Sequence, residues 1–185
     1  VSHETVAMVS SQARLKAITY IDELRQEGDS TGGIIELFAT GLPAGLGNPN
    51  FDGIENRLSR ALFGIPGVKG VAFGSGFDGC LDRGSNQNDP FRLENGKVRT
   101  LNNNSGGIQG GITNGMPLVL KVGMKPTASI AKVQPSFSYE AAANTDLQIK
   151  GRHDPCIAVR AVPVVEAVTA LVLLDFLLDN TIKLD

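Results

Sequence analysis

The sequence predicts an α+β chain, and three observations carry that reading. Apolar residues recur at helical spacing in three separate segments. Short apolar runs bounded by Gly, Pro and Asn lie between them and read as strands. Two of the boundaries have the look of hairpin turns. At 185 residues the chain is long enough for one domain with its own core, spanning 1–185.

The first helix is expected from about Ser11 to Gln26, where Ala13, Ala17, Ile21 and Leu24 share a face with Ile18 alongside, and Gly28 closes it. Asp29 to Gly33 is turn chemistry leading into a strand from Ile34 to Gly41. Gly41 to Pro49 holds too much Gly and Pro to be either element. Asp52 followed by Glu55 reads as a capping box for a second helix that carries Ile54, Leu58, Ala61 and Leu62 inward and stops at Gly64 and Pro66. Val68 to Phe73 reads as the second strand.

Gly74-Ser75-Gly76-Phe77-Asp78-Gly79 matches GxGxxG, a dinucleotide fingerprint, but such a fingerprint opens a helix and Cys80 to Phe91 has no helical periodicity. The glycines are read as turn residues; a dehydrogenase built on them would require a helix after Gly79. Asn95-Gly96 predicts a hairpin with Lys97 to Leu101 returning. Asn102 to Gly115 packs five glycines into fourteen residues, a long loop whose backbone N–H groups could meet an anion. Met116 to Val122 is a strand delivering Lys125-Pro126-Thr127-Ala128-Ser129, a cation and two hydroxyls suited to a phosphate or an isoalloxazine edge. Gln134 to Lys150 reads as a looser hairpin around Ala142, Ala143 and Asn144.

Gly151-Arg152-His153-Asp154-Pro155-Cys156 then sets a permanent cation, a group titrating near neutrality and a carboxylate side by side. Two readings stand for it: a structural Arg152–Asp154 ion pair beside a core histidine, or a site. The helix that follows, Val162 to Leu178, is apolar on nearly every face, which predicts a packed interior. It is short for a membrane span, and Pro163 fits its first turn.

Composition narrows the partners. The formal charge is −2 and the mean hydropathy +0.01. From Lys121 to Arg160, however, six basic residues face three acidic ones, a local +3 that leaves −5 elsewhere. That distribution suits a small anionic ligand better than nucleic acid, and there is no aromatic series for stacking bases. Cys80 and Cys156 lie far apart without CxxC spacing, which indicates neither a disulfide framework nor a zinc site and favours a reducing compartment. The N-terminus lacks the pattern of a signal peptide and starts at Val1, as a partial chain would.

Three stretches together carry a family resemblance: "NNSGGIQGGITNGMPLVLKVGMKPTASI" (103–130), "RGSNQND" (83–89) and "GRHDPCIAVRAVPVVEA" (151–167). With "EGDSTGG" (27–33), "GLPAGLGNPNFD" (41–52) and "IPGVKGV" (65–71), the sequence resembles chorismate synthase in order along essentially the whole chain. The resemblance implies a β-α-β sandwich of antiparallel sheets and helices, usually a homotetramer. It also implies a cytoplasmic lyase of aromatic amino-acid biosynthesis, turning 5-enolpyruvylshikimate 3-phosphate into chorismate and phosphate by 1,4-anti elimination. That reaction needs reduced FMN, which some members regenerate with NADPH.

By position, the family's flavin contacts fall on Pro66, Gly67, Gly110, Lys125, Pro126, Thr127, Ala128, Ser129 and Arg152. Asp154 takes the catalytic role near flavin N5, with His153 supporting. Pro66 and Gly67 stand where the family varies, and Ala128 where a serine is common. The match is to the C-terminal half of the family: the GESHG-type histidine motif and the second catalytic histidine are not found, since the only histidines are His3 and His153. The isolated chain is therefore expected to be inactive in turnover, supplying a flavin-facing wall on which Lys125, Gly110 and Asp154 converge. The alternative is an inactive fragment or an FMN-binding module that needs its other half. An exposed apolar sheet or helix face, covered by self-association, is expected in either case.

Overall fold

The computed structural model describes residues 6–182; His3 lies outside them. The elements run α1 (Ser11–Glu27), β1 (Gly33–Ala39), α2 (Ile54–Leu62), β2 (Val68–Phe73), a 3₁₀ turn (Asp78–Leu81) and α3 (Gly84–Gln87). They continue with β3 (Phe91–Glu94), β4 (Lys97–Thr100), β5 (Ile108–Gln109), β6 (Ile112–Thr113), β7 (Leu118–Met124), β8 (Gln134–Ser138), β9 (Ala143–Leu147) and α4 (Ala158–Ile182). The chain divides into two compact units. One takes the chain up to Gly33 together with Met124–Val162; the other takes Ile34–Gly123 and the chain from Pro163 on.

In the first unit, Ser10 caps α1 by accepting the Ala13 N–H at 3.2 Å, and Gly28 closes it at φ +69°, a left-handed turn that glycine adopts without strain. Of the predicted inner face only Leu24 is fully buried, while Ala13, Ala17 and Ile21 are half-buried. The β8–β9 hairpin is antiparallel, with Pro135 opposite Asp146 and Phe137 opposite Asn144, and Ala142 turns it at φ +46°. Lys132 ties the end of α1 down through Asp29 at 2.7 Å and Glu27 at 3.4 Å. The Lys132 hydrogen bond, helped by the Ser30 N–H, holds the Asp29 carboxyl below the usual carboxylate range. A depressed folded-state pKa stabilises above the unfolded value and loses that stabilisation as pH falls through the carboxylate range, about pH 4 and below. Lys132→Met should accordingly flatten the loss of urea resistance between neutral and acid pH. The change is small because the pair is exposed.

The second unit is built on a three-stranded sheet in the order β1-β7-β2. β7 alternates strictly, burying Leu118, Leu120, Val122 and Met124, while Ile35 and Leu37 of β1 are buried and Ile34 and Phe38 are exposed. α2 lies against β2 and buries Ile54, Leu58 and Leu62 completely. The helix is real, but the capping box is not formed. Its N-cap is Gly53, which makes no side-chain hydrogen bond, and the Ile54 N–H goes instead to the carbonyl of Gly111 at 3.0 Å. A distant loop thus satisfies a helix end that the local sequence was expected to satisfy.

α4 departs from expectation in three ways. It starts at Ala158, a turn before the predicted position, because Arg160 and Ala161 both donate to Ile157 O; Pro163 consequently lies inside the helix rather than in its first turn. At that length, residues Ala158–Asp179 are long and apolar enough to cross a membrane by length and composition. Nor is it buried all round: Val165, Thr169, Leu173 and Phe176 form one inner stripe, and Leu171, Leu174 and Leu178 are exposed. The anticipated uncovered apolar faces are therefore present on α4 and on β1.

α2 and α4 are joined by Arg57. Its guanidinium pairs with Asp175, reaches Asp179 at 3.4 Å and stacks 4.3 Å above the Phe176 ring. Arg57→Ala should lower stability by about 1–2 kcal/mol, the stacking and the partly exposed ion pairs counting about equally. Arg57→Lys should lose most of the stacking share while keeping charge, measured by chemical denaturation.

Candidate functional site

In the first unit the site is assembled on the turn 30–33. Gly32 has no room for a side chain, since a Cβ there would lie 2.3 Å from the Met124 carbonyl, so this turn fixes the end of β7. Ser30 Oγ donates to the Thr127 carbonyl at 2.7 Å, and the Thr31 N–H donates to Pro155 O at 2.8 Å. One turn thus pins both the Lys125–Ser129 loop and the Arg152–Cys156 segment. Neither Ser30 nor Thr31 was singled out from the sequence, although the hydroxyl pair beside two glycines was the available signal.

The two segments meet directly, with Ser129 Oγ 3.2 Å from His153 Nδ1 and His153 Nε2 3.1 Å from the Ile149 carbonyl. A carbonyl oxygen only accepts, so Nε2 donates to Ile149, and Nδ1 and the Ser129 hydroxyl share the second hydrogen bond. His153 thereby links the Ser129 hydroxyl to the backbone at Ile149.

Asp154 does not pair with Arg152. Its Oδ2 accepts from Arg160 Nε at 3.0 Å and its Oδ1 from the Cys156 N–H at 3.3 Å, a short-range arrangement made possible because α4 begins early and turns Arg160 back. The structural Arg152–Asp154 ion pair is therefore ruled out. Arg152 is exposed, and neither it nor Lys125 has an ion-pair partner among the described residues. Thr127 Oγ1 is buried without a hydrogen-bond partner, an orphan that a polar ligand atom would satisfy.

In the second unit, Pro66 and Gly67 form a tight turn after α2, closed by Val68 N–H to Ile65 O at 3.2 Å, with Gly67 at φ +93°. Gly110 is not in an open loop. The stretch 102–115 contains the β5–β6 hairpin, and Gly110-Gly111 are its two turn residues at φ +61° and +79°. Gly111 is packed against Gly53, whereas a Cβ on Gly110 would meet nothing, so its backbone is open to a ligand. Thr113 anchors the hairpin, donating to Pro43 O at 2.7 Å and accepting the Leu46 N–H at 2.9 Å.

The buried Asp89 was quoted in the family motif without a role. It accepts the N–H groups of Asn104 and Ser105, each at 2.8 Å, and so sets the entry to the glycine-rich stretch. After Gly79 there is only the 3₁₀ turn and the four-residue α3, so the helix that a dinucleotide fingerprint would need is missing. Lys125 to Ser129, Arg152 and Asp154 belong to the first unit, and Pro66, Gly67 and Gly110 to the second.

Helices beside a three-stranded sheet and small antiparallel hairpins, with a cation, hydroxyls and a carboxylate drawn together in the first unit, define a mixed helix-and-sheet chain with a polar site. The sequence profile described as chorismate synthase matches residues 1–178. The chain belongs to the chorismate synthase family. It is 47% identical to the chorismate synthase of Dehalococcoides mccartyi over 178 residues, 96% of this chain and 49% of the relative. Against that of Methanosarcina acetivorans the identity is 50% over 167 residues, covering 90% and 46%. A crystal structure of chorismate synthase superposes with a TM-score of 0.72 at 34% identity, over 89% of this chain and 42% of that one. The chain spans about half the length of the curated relatives it matches.

Proposed function

We propose that this chain is the flavin-facing half of a chorismate synthase, acting with the remainder of a family-length protein on 5-enolpyruvylshikimate 3-phosphate in the cytoplasm as part of a homotetramer. The single observation that carries the reading is the family match over residues 1–178, which includes every proposed site residue. The residues also fit the cofactor. Thr127 Oγ1 is a buried orphan, Gly110 offers open backbone, and Lys125 and Arg152 are cations without partners among the described residues.

Reduced FMN supplies, when bound, the electron density that helps an allylic phosphate leave. Lys125 and Arg152 contribute positive charge to an anionic ligand, and the Thr127 and Ser129 hydroxyls orient its polar edge. Asp154 holds or accepts a proton, with Arg160 and the Cys156 N–H fixing its orientation while leaving lone pairs free. Pro66 and Gly67, taken within their own unit, form a turn suited to a backbone contact with a ligand.

An FMN titration followed by fluorescence tests the reading. The family-length assembly, formed with the part of the family's length that this chain does not span, should bind FMN, with Lys125→Ala weakening binding by roughly 10–100-fold, the loss of one charge-assisted hydrogen bond. The 185-residue chain alone should form no chorismate from substrate and reduced FMN. Unchanged flavin affinity in Lys125→Ala would remove that residue from the site, and turnover by the chain alone would overturn the half-site reading.

A further inference from the structure

The geometry points to the outer edge of β3 as a pairing surface for a second copy of this chain, joined about a two-fold axis at Leu93. Among the described residues the β3–β4 hairpin is a two-stranded sheet joined to no other, and such a ribbon is marginal in water by itself. It is also unusually bare: Phe91 is 61% exposed, Leu93 74% and Val98 64%, all on one face. On the other face Arg92 stands directly opposite Arg99, a like-charge pair that weakens the hairpin, and the hairpin's own carboxylate, Glu94, lies 3.1 Å from Arg92.

The register decides which edge is sticky and for what. Asn95 and Gly96 form a two-residue turn with both φ positive, at +51° and +74°, and the Leu101 N–H donates to Pro90 O at 2.9 Å. Hydrogen-bonded and open pairs alternate along an antiparallel ladder, so Pro90–Leu101, Arg92–Arg99 and Glu94–Lys97 are the bonded pairs. The N–H and C=O of Leu93 therefore point outward, away from β4. A two-fold axis at Leu93 lets the two copies exchange both backbone bonds there.

The same axis sets Arg92 opposite Glu94 of the second copy, and Glu94 opposite Arg92 of the second copy. Across the resulting four-stranded sheet each Arg99–Arg92 pair meets a carboxylate. The β4 edge cannot do this: an axis at Val98 would set Lys97 against Arg99, cation on cation. Charge thus selects β3 over β4, and self-complementarity selects a second copy over an unlike partner.

The test uses the 185-residue chain. In a Cys80→Ser background, since Cys80 is an exposed thiol, Leu93→Cys should oxidise to a covalent dimer because residues paired across the axis lie about 5.5 Å apart, within disulfide reach, while Val98→Cys should not. In sedimentation equilibrium, Arg92→Glu or Glu94→Arg alone should weaken self-association roughly tenfold or more, and the double swap Arg92→Glu with Glu94→Arg should restore it. A chain that stays monomeric, a dimer indifferent to both reversals, a double swap that fails to restore it, or cross-linking through position 98 would each overturn the proposal.

Discussion

Asp154→Asn should lower kcat by about 10²–10⁴-fold in an assembly that forms chorismate, with KM within a few-fold of the unaltered protein. The substitution keeps the shape of the side chain and the acceptor for the Cys156 N–H, but it removes the group able to take a proton. The control is Arg160→Ala, which removes the Oδ2 partner and leaves the carboxylate in place. It should cost far less in kcat than Asp154→Asn. Equal losses in the two variants, or a loss confined to KM, would make Asp154 a structural anchor of the α4 start rather than a proton-handling residue.

Asp89→Ala should destabilise the fold by about 3–5 kcal/mol. Two backbone N–H groups, of Asn104 and Ser105, would lose a buried carboxylate, and each hydrogen bond to a charged group is worth about 1.5–3 kcal/mol. Asp89→Asn keeps one acceptor and turns a donor against the second N–H, so it should fall between the two. Urea unfolding reads the loss directly. Hydrogen exchange should locate it first in residues 102–107, because Gly74 and Gly106 pack backbone to backbone there: a Cβ on Gly74 would lie 2.0 Å from the Asn104 carbonyl. A loss under 1 kcal/mol would show that water replaces the carboxylate without penalty.

Local patterns were legible in the sequence wherever one short-range signal was sufficient. Gly28 closes α1 as read, Asn95-Gly96 makes the predicted turn, and β2 begins at Val68 and ends at Phe73 as read. The signals failed where a distant group had taken over the local task. Asp52 and Glu55 spell a capping box, yet Gly111 O does the capping. Arg152 and Asp154 sit two apart, yet Asp154 turns to Arg160, because a helix that begins at Ala158 carries that arginine back toward it. The glycine-rich stretch looked like one loop, and its tight hairpin was hidden because each strand is only two residues long, too short to show alternation.

Family membership and the types of residue available for chemistry were fixed by the order of side chains alone, since motifs such as "GRHDP" and "KPTAS" keep their identity whatever surrounds them. Tertiary structure alone decided that Ser30 and Thr31 clamp two segments nearly a hundred or more residues away, that His153 spends its Nδ1 on Ser129, and that α4 buries one stripe rather than its whole surface. The physical reason is common to all three. Groups far apart in the chain, polar or apolar, are equivalent as partners until folding sets their distances, and only then does one partner win.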